Sequence, residues 1–179
     1  VFYGGKFLPV FFGGSREVTI PAGERAVSDP LEVFLIEGEV IQVSFYLKDF
    51  TLMRSVVYAC GPLSEGLYAN GDETENASID ILTSRKTHLF YFLSNVSVLT
   101  EEENRAIVCY GDSITAQNWP DDLALRCFTE GYHSTAIIRR ATSGSRILRQ
   151  YDCLQYESYG LSGENRFAHE VPTDGADVV

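Results

Sequence analysis

The chain is 179 residues long, 45% hydrophobic and 12% aromatic, with 25 acidic against 14 basic side chains and a formal charge of −11. That composition is globular rather than disordered, and its acidity argues against a phosphate-tracking nucleic-acid surface and against adhesion to an anionic membrane. No run approaches the ~18 consecutive apolar residues of a spanning helix.

The first hundred residues read as strands. Residues 17–20 make a short run before the turn Pro21-Ala22-Gly23, and Leu31, Val33 and Leu35 alternate after Asp29-Pro30. Ile41, Val43, Phe45 and Leu47 repeat the alternation, with Gln42 and Ser44 on the opposite face. Further runs follow at 55–59, ahead of Gly61-Pro62, at 79–82, after Asn70-Gly71-Asp72, and at Leu89, Tyr91 and Leu93. A period of two in short runs separated by turn residues is the pattern of half-buried strands. It predicts an N-terminal all-β, jelly-roll-like sandwich over residues 1–104. Phe45, Phe90 and Phe92 lie within apolar runs and are expected to be buried. Gly4-Gly5 and Gly13-Gly14 lack a phosphate-loop frame and read as turns.

The period changes after Glu101-Glu102-Glu103-Asn104. Residues 106–110 are a continuous apolar run ending at a glycine, as in a buried parallel strand. Residues 121–128 carry Leu123, Ala124, Leu125 and Phe128 at helical spacing, with Pro120 at a natural helix start. Residues 135–138 are strand-like, 145–154 suggest a second helix through Ile147, Leu148 and Tyr151, and 176–179 begin a third apolar run. Alternating strand and helix predicts a βαβ unit and a parallel sheet over 105–179. So few elements cover such a sheet poorly, so the expectation is a lobe that is incomplete here or completed by another polypeptide. A small α+β lobe leaning on the sandwich is the plainer alternative.

Cys60, Cys109, Cys127 and Cys153 contain no CxxC, and no His stands at zinc-finger distance, so no metal site is expected. Two disulfides are permitted, but cysteine's preference for the interior favours reduced thiols. Residue 1 is Val and no leader follows. With the unpatterned cysteines this points to a cytoplasmic protein. The sequons Asn76-Ala77-Ser78 and Asn95-Val96-Ser97 matter only in a secreted eukaryotic setting.

The chemistry concentrates in Ile107-Val108-Cys109-Tyr110-Gly111-Asp112-Ser113-Ile114-Thr115, where an apolar strand runs into a glycine, an acid and a serine ahead of a helix. A strand end at the carboxyl edge of a parallel sheet is where open α/β folds place their sites. Backbone N–H groups of such a turn can face a developing oxyanion. Asp112 is expected to brace the turn through an Asx hydrogen bond rather than to act on substrate.

The segment Tyr110-Gly111-Asp112-Ser113-Ile114-Thr115 resembles the first block of the GDSL or SGNH family of serine hydrolases, and Arg139-Arg140-Ala141-Thr142-Ser143-Gly144-Ser145-Arg146 resembles the second. The sandwich ahead of Asn104-Arg105-Ala106-Ile107 is similar to a bacterial subgroup with an appended β-domain. The resemblance implies a flavodoxin-like, three-layer α/β lobe, Ser113 as nucleophile and oxyanion N–H, Gly144 as a second oxyanion N–H, and no cofactor. The family's third block, Gly-x-Asn-Asp, and its last, Asp-x-x-His, do not occur here, so the chain reads as cut before them. Neither His88, His133 nor His169 matches the family base. An unassisted serine hydroxyl is a poor nucleophile, and a molecule with no further residues is expected to turn over negligibly.

Two other groups have plainer roles. Arg139, Arg140 and Arg146 flank the Gly144 turn, where salt bridging is favoured over holding a substrate carboxylate. Tyr151-Asp152 and Tyr156-Glu157-Ser158-Tyr159 are expected to pack rather than to line a pocket mouth. The leading expectation is a serine esterase acting on a short acyl ester of a small molecule or carbohydrate. The alternatives are a carbohydrate- or partner-binding sandwich with a vestigial second lobe, and a sandwich that serves as scaffold or homo-oligomer contact.

Overall fold

The computed structural model describes residues 1–51, 57–59, 61–80, 82, 84–100, 103–151, 159–172 and 175–179. Its elements are of the α/β type: two helices, with short antiparallel strand pairs early in the chain and a parallel pair later. Contacts divide the chain into two units, Val1–Phe50 with Ala69–Ser84, and Thr51–Tyr68 with Arg85–Val179. No helix among the described residues is long and apolar enough to cross a membrane.

In the first unit, β1 (Phe2–Tyr3) and β2 (Lys6–Phe7) form an antiparallel hairpin around Gly4 and Gly5, pairing Phe2 with Phe7 and Tyr3 with Lys6. Phe2 also bridges to Gln42 through two backbone bonds of 2.9 and 3.0 Å. The Gly13-Gly14 turn is closed by Asp29, whose carboxylate accepts both N–H groups at 3.0 Å. Those bonds, that from Gly14 first, hold Asp29 below the ordinary carboxylate range.

The alternation read at 31–35 reappears in burial: Leu31, Val33 and Leu35 are half-buried while Glu32, Phe34 and Ile36 are exposed. Val33 N–H nevertheless turns back to Leu31 C=O at 3.0 Å, a local bond in place of a ladder. Over 41–47 the alternation is absent, and Phe45 and Leu47 are about half exposed, at 49% and 47%. Among the described residues this unit pairs only through the hairpin and isolated bridges, and no two-layer sandwich is seen. Parts of the runs at 55–59 and 79–82 lie outside the described residues.

In the second unit, β3 (Val57–Tyr58) pairs antiparallel with β6 (Leu89–Phe90), and β4 (Gly66–Tyr68) with β5 (Arg85–Thr87). Phe90 is half-buried, but Phe92, expected inside, is 50% exposed. It has a positive φ of 60°, a backbone setting that breaks the strand's alternation.

The site rests on β7 (Arg105–Gly111) and β8 (Thr135–Ala141), parallel and in register from Arg105 opposite Thr135 to Gly111 opposite Ala141. Val108 and Cys109 of β7 are 1% and 5% exposed, the burial that a continuous apolar strand predicts. On its other edge β7 meets the third apolar run. Val178 forms a parallel bridge to Ile107, with Val108 N–H donating to Val178 C=O at 2.9 Å. Asp177 seals that start, its carboxylate accepting Ala106 N–H at 2.7 Å. The order across the sheet is therefore β8, β7 and then the bridge at Val178.

Helix α1 (Trp119–Thr129) carries Pro120 in its first turn, where the missing N–H costs nothing, and Asp121 and Asp122 beside it favour the positive end of the helix dipole. It stops at Gly131, whose φ of +85° lets its N–H reach Phe128 C=O while Tyr132 N–H reaches Cys127 C=O, a Schellman closure. Helix α2 (Gly163–Glu170) lies later than expected. Of the helix read at 145–154, residues 145–151 are irregular and 152–154 lie outside the described residues. Ile147 and Leu148 instead line an apolar cleft of about 420 Å³ with Tyr110, Gly163, Glu164 and Phe167. Their helix-like spacing reflects that shared cleft wall rather than a helix face.

Candidate active site

Two turns leave the carboxyl edge of the parallel sheet side by side. The β7 ladder ends with Gly111 opposite Ala141, and one further bond, Thr142 N–H to Gly111 C=O at 3.1 Å, joins the turns at their roots. Ser113 stands two residues beyond Gly111, half-buried, and Gly144 three residues beyond Ala141. The first turn is braced as expected of an Asx turn: Asp112 accepts Ile114 N–H through its side chain at 2.9 Å and Ala116 N–H through its carbonyl at 3.0 Å. Thr115 and Ala116 beneath it are buried, so the turn has a packed floor.

The second turn requires glycine twice. Gly144 has a φ of +78°, and a Cβ there would lie 2.5 Å from ring carbons of Tyr159. The Tyr159 ring thus covers the turn and meets Tyr151 edge-on, with centroids 5.5 Å apart. Arg146 and Arg149 stand over the Tyr151 ring at 5.0 and 5.6 Å. Asp152 and residues 156–158 lie outside the described residues. Neither Ser113 N–H nor Gly144 N–H donates to an acceptor among the described residues, while neighbouring N–H groups of both turns do.

Other basic residues are committed to the frame. Arg139 pairs with Asp121 at 2.5 Å, the two side chains being 10% and 12% exposed, and Asp121 also accepts Leu63 N–H at 2.9 Å. That buried pair ties β8, the start of α1 and the 61–64 turn together, in keeping with the salt-bridge expectation for Arg139. Arg140 donates to Ser94 C=O at 2.9 Å.

Arg166, on α2, carried no sequence signal, yet it reaches the site. It is 6% exposed. Its Nη2 donates to Gly111 C=O at 3.1 Å and to Ser145 Oγ at 3.3 Å, while its Nη1 pairs with Glu170 at 2.6 Å. Its guanidinium lies 4.8 Å from the Tyr110 ring centroid, and its buried Nε has no hydrogen-bond partner among the described residues. Burial pushes the Tyr110 phenol above its ordinary range, against the pull of Arg166 and with a push from Glu170. Tyr110 Oη donates to Gly163 C=O at the head of α2. Only the helix period and a buried charge would have flagged Arg166, and the octapeptide GENRFAHE is too short and polar to show the first.

The histidines lie elsewhere. His88 is exposed between β5 and β6, His133 packs edge-on against Phe128 at 5.6 Å, and His169 is exposed in the last turn of α2. Cys109 and Cys127 are free thiols, and burial pushes Cys109 above its ordinary value while Arg139 opposes. Cys60 and Cys153 lie outside the described residues. Among the described residues no three His, Cys, Asp or Glu side chains gather into a metal site. No protein family model, curated protein or solved structure matches the chain.

Proposed function

We propose that the second unit carries the nucleophile and oxyanion-binding turns of a serine ester hydrolase of the SGNH type. The observation that carries this reading is the pair of turns, joined through Gly111 C=O, that present a serine and two N–H groups without acceptors among the described residues at one sheet edge. Ser113 Oγ attacks the carbonyl carbon of a short acyl ester and its proton passes to a general base, which the resemblance assigns to a histidine outside the two matched blocks. The carbonyl oxygen becomes an oxyanion held by Ser113 N–H and Gly144 N–H, each donor of this kind contributing about 10²–10³ in rate. Collapse expels the alcohol, and water then releases the acid.

The finer fold reading belongs to the same proposal. The order β8, β7 and the Val178 bridge supports a flavodoxin-like lobe. The test is hydrolysis of p-nitrophenyl acetate by the chain and by S113A over a range of added imidazole, which supplies a base. A rate that rises with imidazole only when Ser113 is present supports the reading. Equal rates at every imidazole concentration overturn it.

A second reading makes the first unit a binding module. Phe34, Phe45, Tyr46 and Phe50 are exposed there, as aromatic platforms that stack on a sugar ring would be. Calorimetric titration with a neutral oligosaccharide, repeated on F34A and F50A, decides it: binding lost in the variants supports the module, and no heat with the wild type removes it.

A further inference from the structure

We propose that Arg166 is a positioning residue that locks the Ser113 turn and the Gly144 turn into one fixed arrangement. The inference rests on the hydrolase reading for its kinetic consequence, but its geometry stands alone. A single nitrogen, Nη2, holds both turns: it donates to Gly111 C=O, whose peptide leads into Asp112 and Ser113, and to Ser145 Oγ, next to Gly144. Gly111 C=O also accepts Thr142 N–H, so one carbonyl is gripped from the second turn and from α2 together. The guanidinium is in turn fixed from two sides, by Glu170 through Nη1 and by the Tyr110 ring beneath it. A planar fork suits this task because its donors keep a fixed spacing, which a lysine ammonium would not provide.

Two oxyanion donors on separate turns are useful only if their separation is held. A misplacement of about 1 Å costs about 10²-fold in rate.

The experiment uses the 179-residue chain as wild type, R166Q and S145A, with two readouts. The first is the rate of Ser113 labelling by a fluorophosphonate at a fixed concentration of imidazole, which supplies the base, resolved into maximal rate and half-saturating probe concentration. The second is the backbone amide spectrum. R166Q is expected to lower the maximal rate about 10²-fold with half-saturation changed less than about twofold, and to shift amides in both 111–115 and 142–145. A folded R166Q that labels at the wild-type maximal rate, or whose amide changes stay within α2, overturns the proposal. If R166Q does not fold, S145A decides: loss of its hydroxyl should move the amides of 111–113 on the opposite turn, and unmoved amides overturn the tether. A wild type that never labels at Ser113 defeats the hydrolase reading, while the amide shifts still judge Arg166.

Discussion

Replacing Gly144 by alanine separates two costs that the structure assigns to one position. The first is conformational: a φ of +78° places an L side chain in the left-handed region, at about 1–2 kcal/mol. The second is steric, because the new Cβ would fall 2.5 Å from the Tyr159 ring, and overpacking of this kind costs about 1–3 kcal/mol. G144A should therefore lose about 2–5 kcal/mol. Gly131 is the internal control, with a φ of +85° and nothing within 4 Å of its Cβ position. G131A should lose only the conformational part. Trp119, the sole tryptophan, opens α1 in the same unit, so its fluorescence reports urea unfolding where both substitutions lie. With a slope of about 2 kcal/mol per molar urea, G144A should lower the midpoint by about 1–2.5 M and G131A by about 0.5–1 M. Adding Y159A should remove the steric part from G144A, a coupling of about 1–3 kcal/mol. Equal losses for the two glycines, or no coupling with Y159A, would show that the Tyr159 ring does not cover the Gly144 turn.

Asp112 should tolerate an amide: D112N keeps an oxygen for Ile114 N–H and leaves Ser113 labelling unchanged, whereas D112A costs about 1 kcal/mol. Loss of labelling in D112N would assign the carboxylate to chemistry instead. D121A should cost about 3–5 kcal/mol in urea unfolding, because it strands the buried Arg139 charge; a loss below about 1 kcal/mol would mean that the pair is solvated. Cys109 has a folded-state value raised above the ordinary 9.0, so the unfolded chain releases this proton at lower pH than the folded chain. Stability should fall as the pH rises above about 9, and C109A should flatten that fall. Identical pH slopes would contradict the burial of this thiol.

The second unit was legible where the chain builds its own period. The apolar run at 106–110 is β7, Pro120 and the Leu123–Phe128 spacing mark α1, and 135–138 begins β8, because burial on both faces and helix-end chemistry leave direct traces in composition. The Asx turn at Asp112 was legible for the same local reason. The glycine at 144 came from the resemblance, but its cause, a positive φ under an aromatic ring fifteen residues on, belongs to tertiary structure. Helix α2 and Arg166 were not legible. A short, polar helix with one phenylalanine shows no stripe, and Arg166 is set by a carbonyl 55 residues away. Ile147, Leu148 and Tyr151 misled in the opposite sense, since cleft lining and ring stacking reproduce a helix-like spacing. In the first unit, alternation at 31–35 became alternate burial without a ladder, because side-chain period and backbone pairing are separate requirements.

The most direct test of Ser113 as the nucleophile is intact-mass spectrometry after incubation with a fluorophosphonate in the presence of imidazole, which supplies the base an unassisted serine needs, followed by peptide mapping. A single adduct on Ser113, absent from S113A, is the predicted result. No adduct, or one that maps elsewhere and persists in S113A, would contradict the assignment of this sheet edge as an ester hydrolase site.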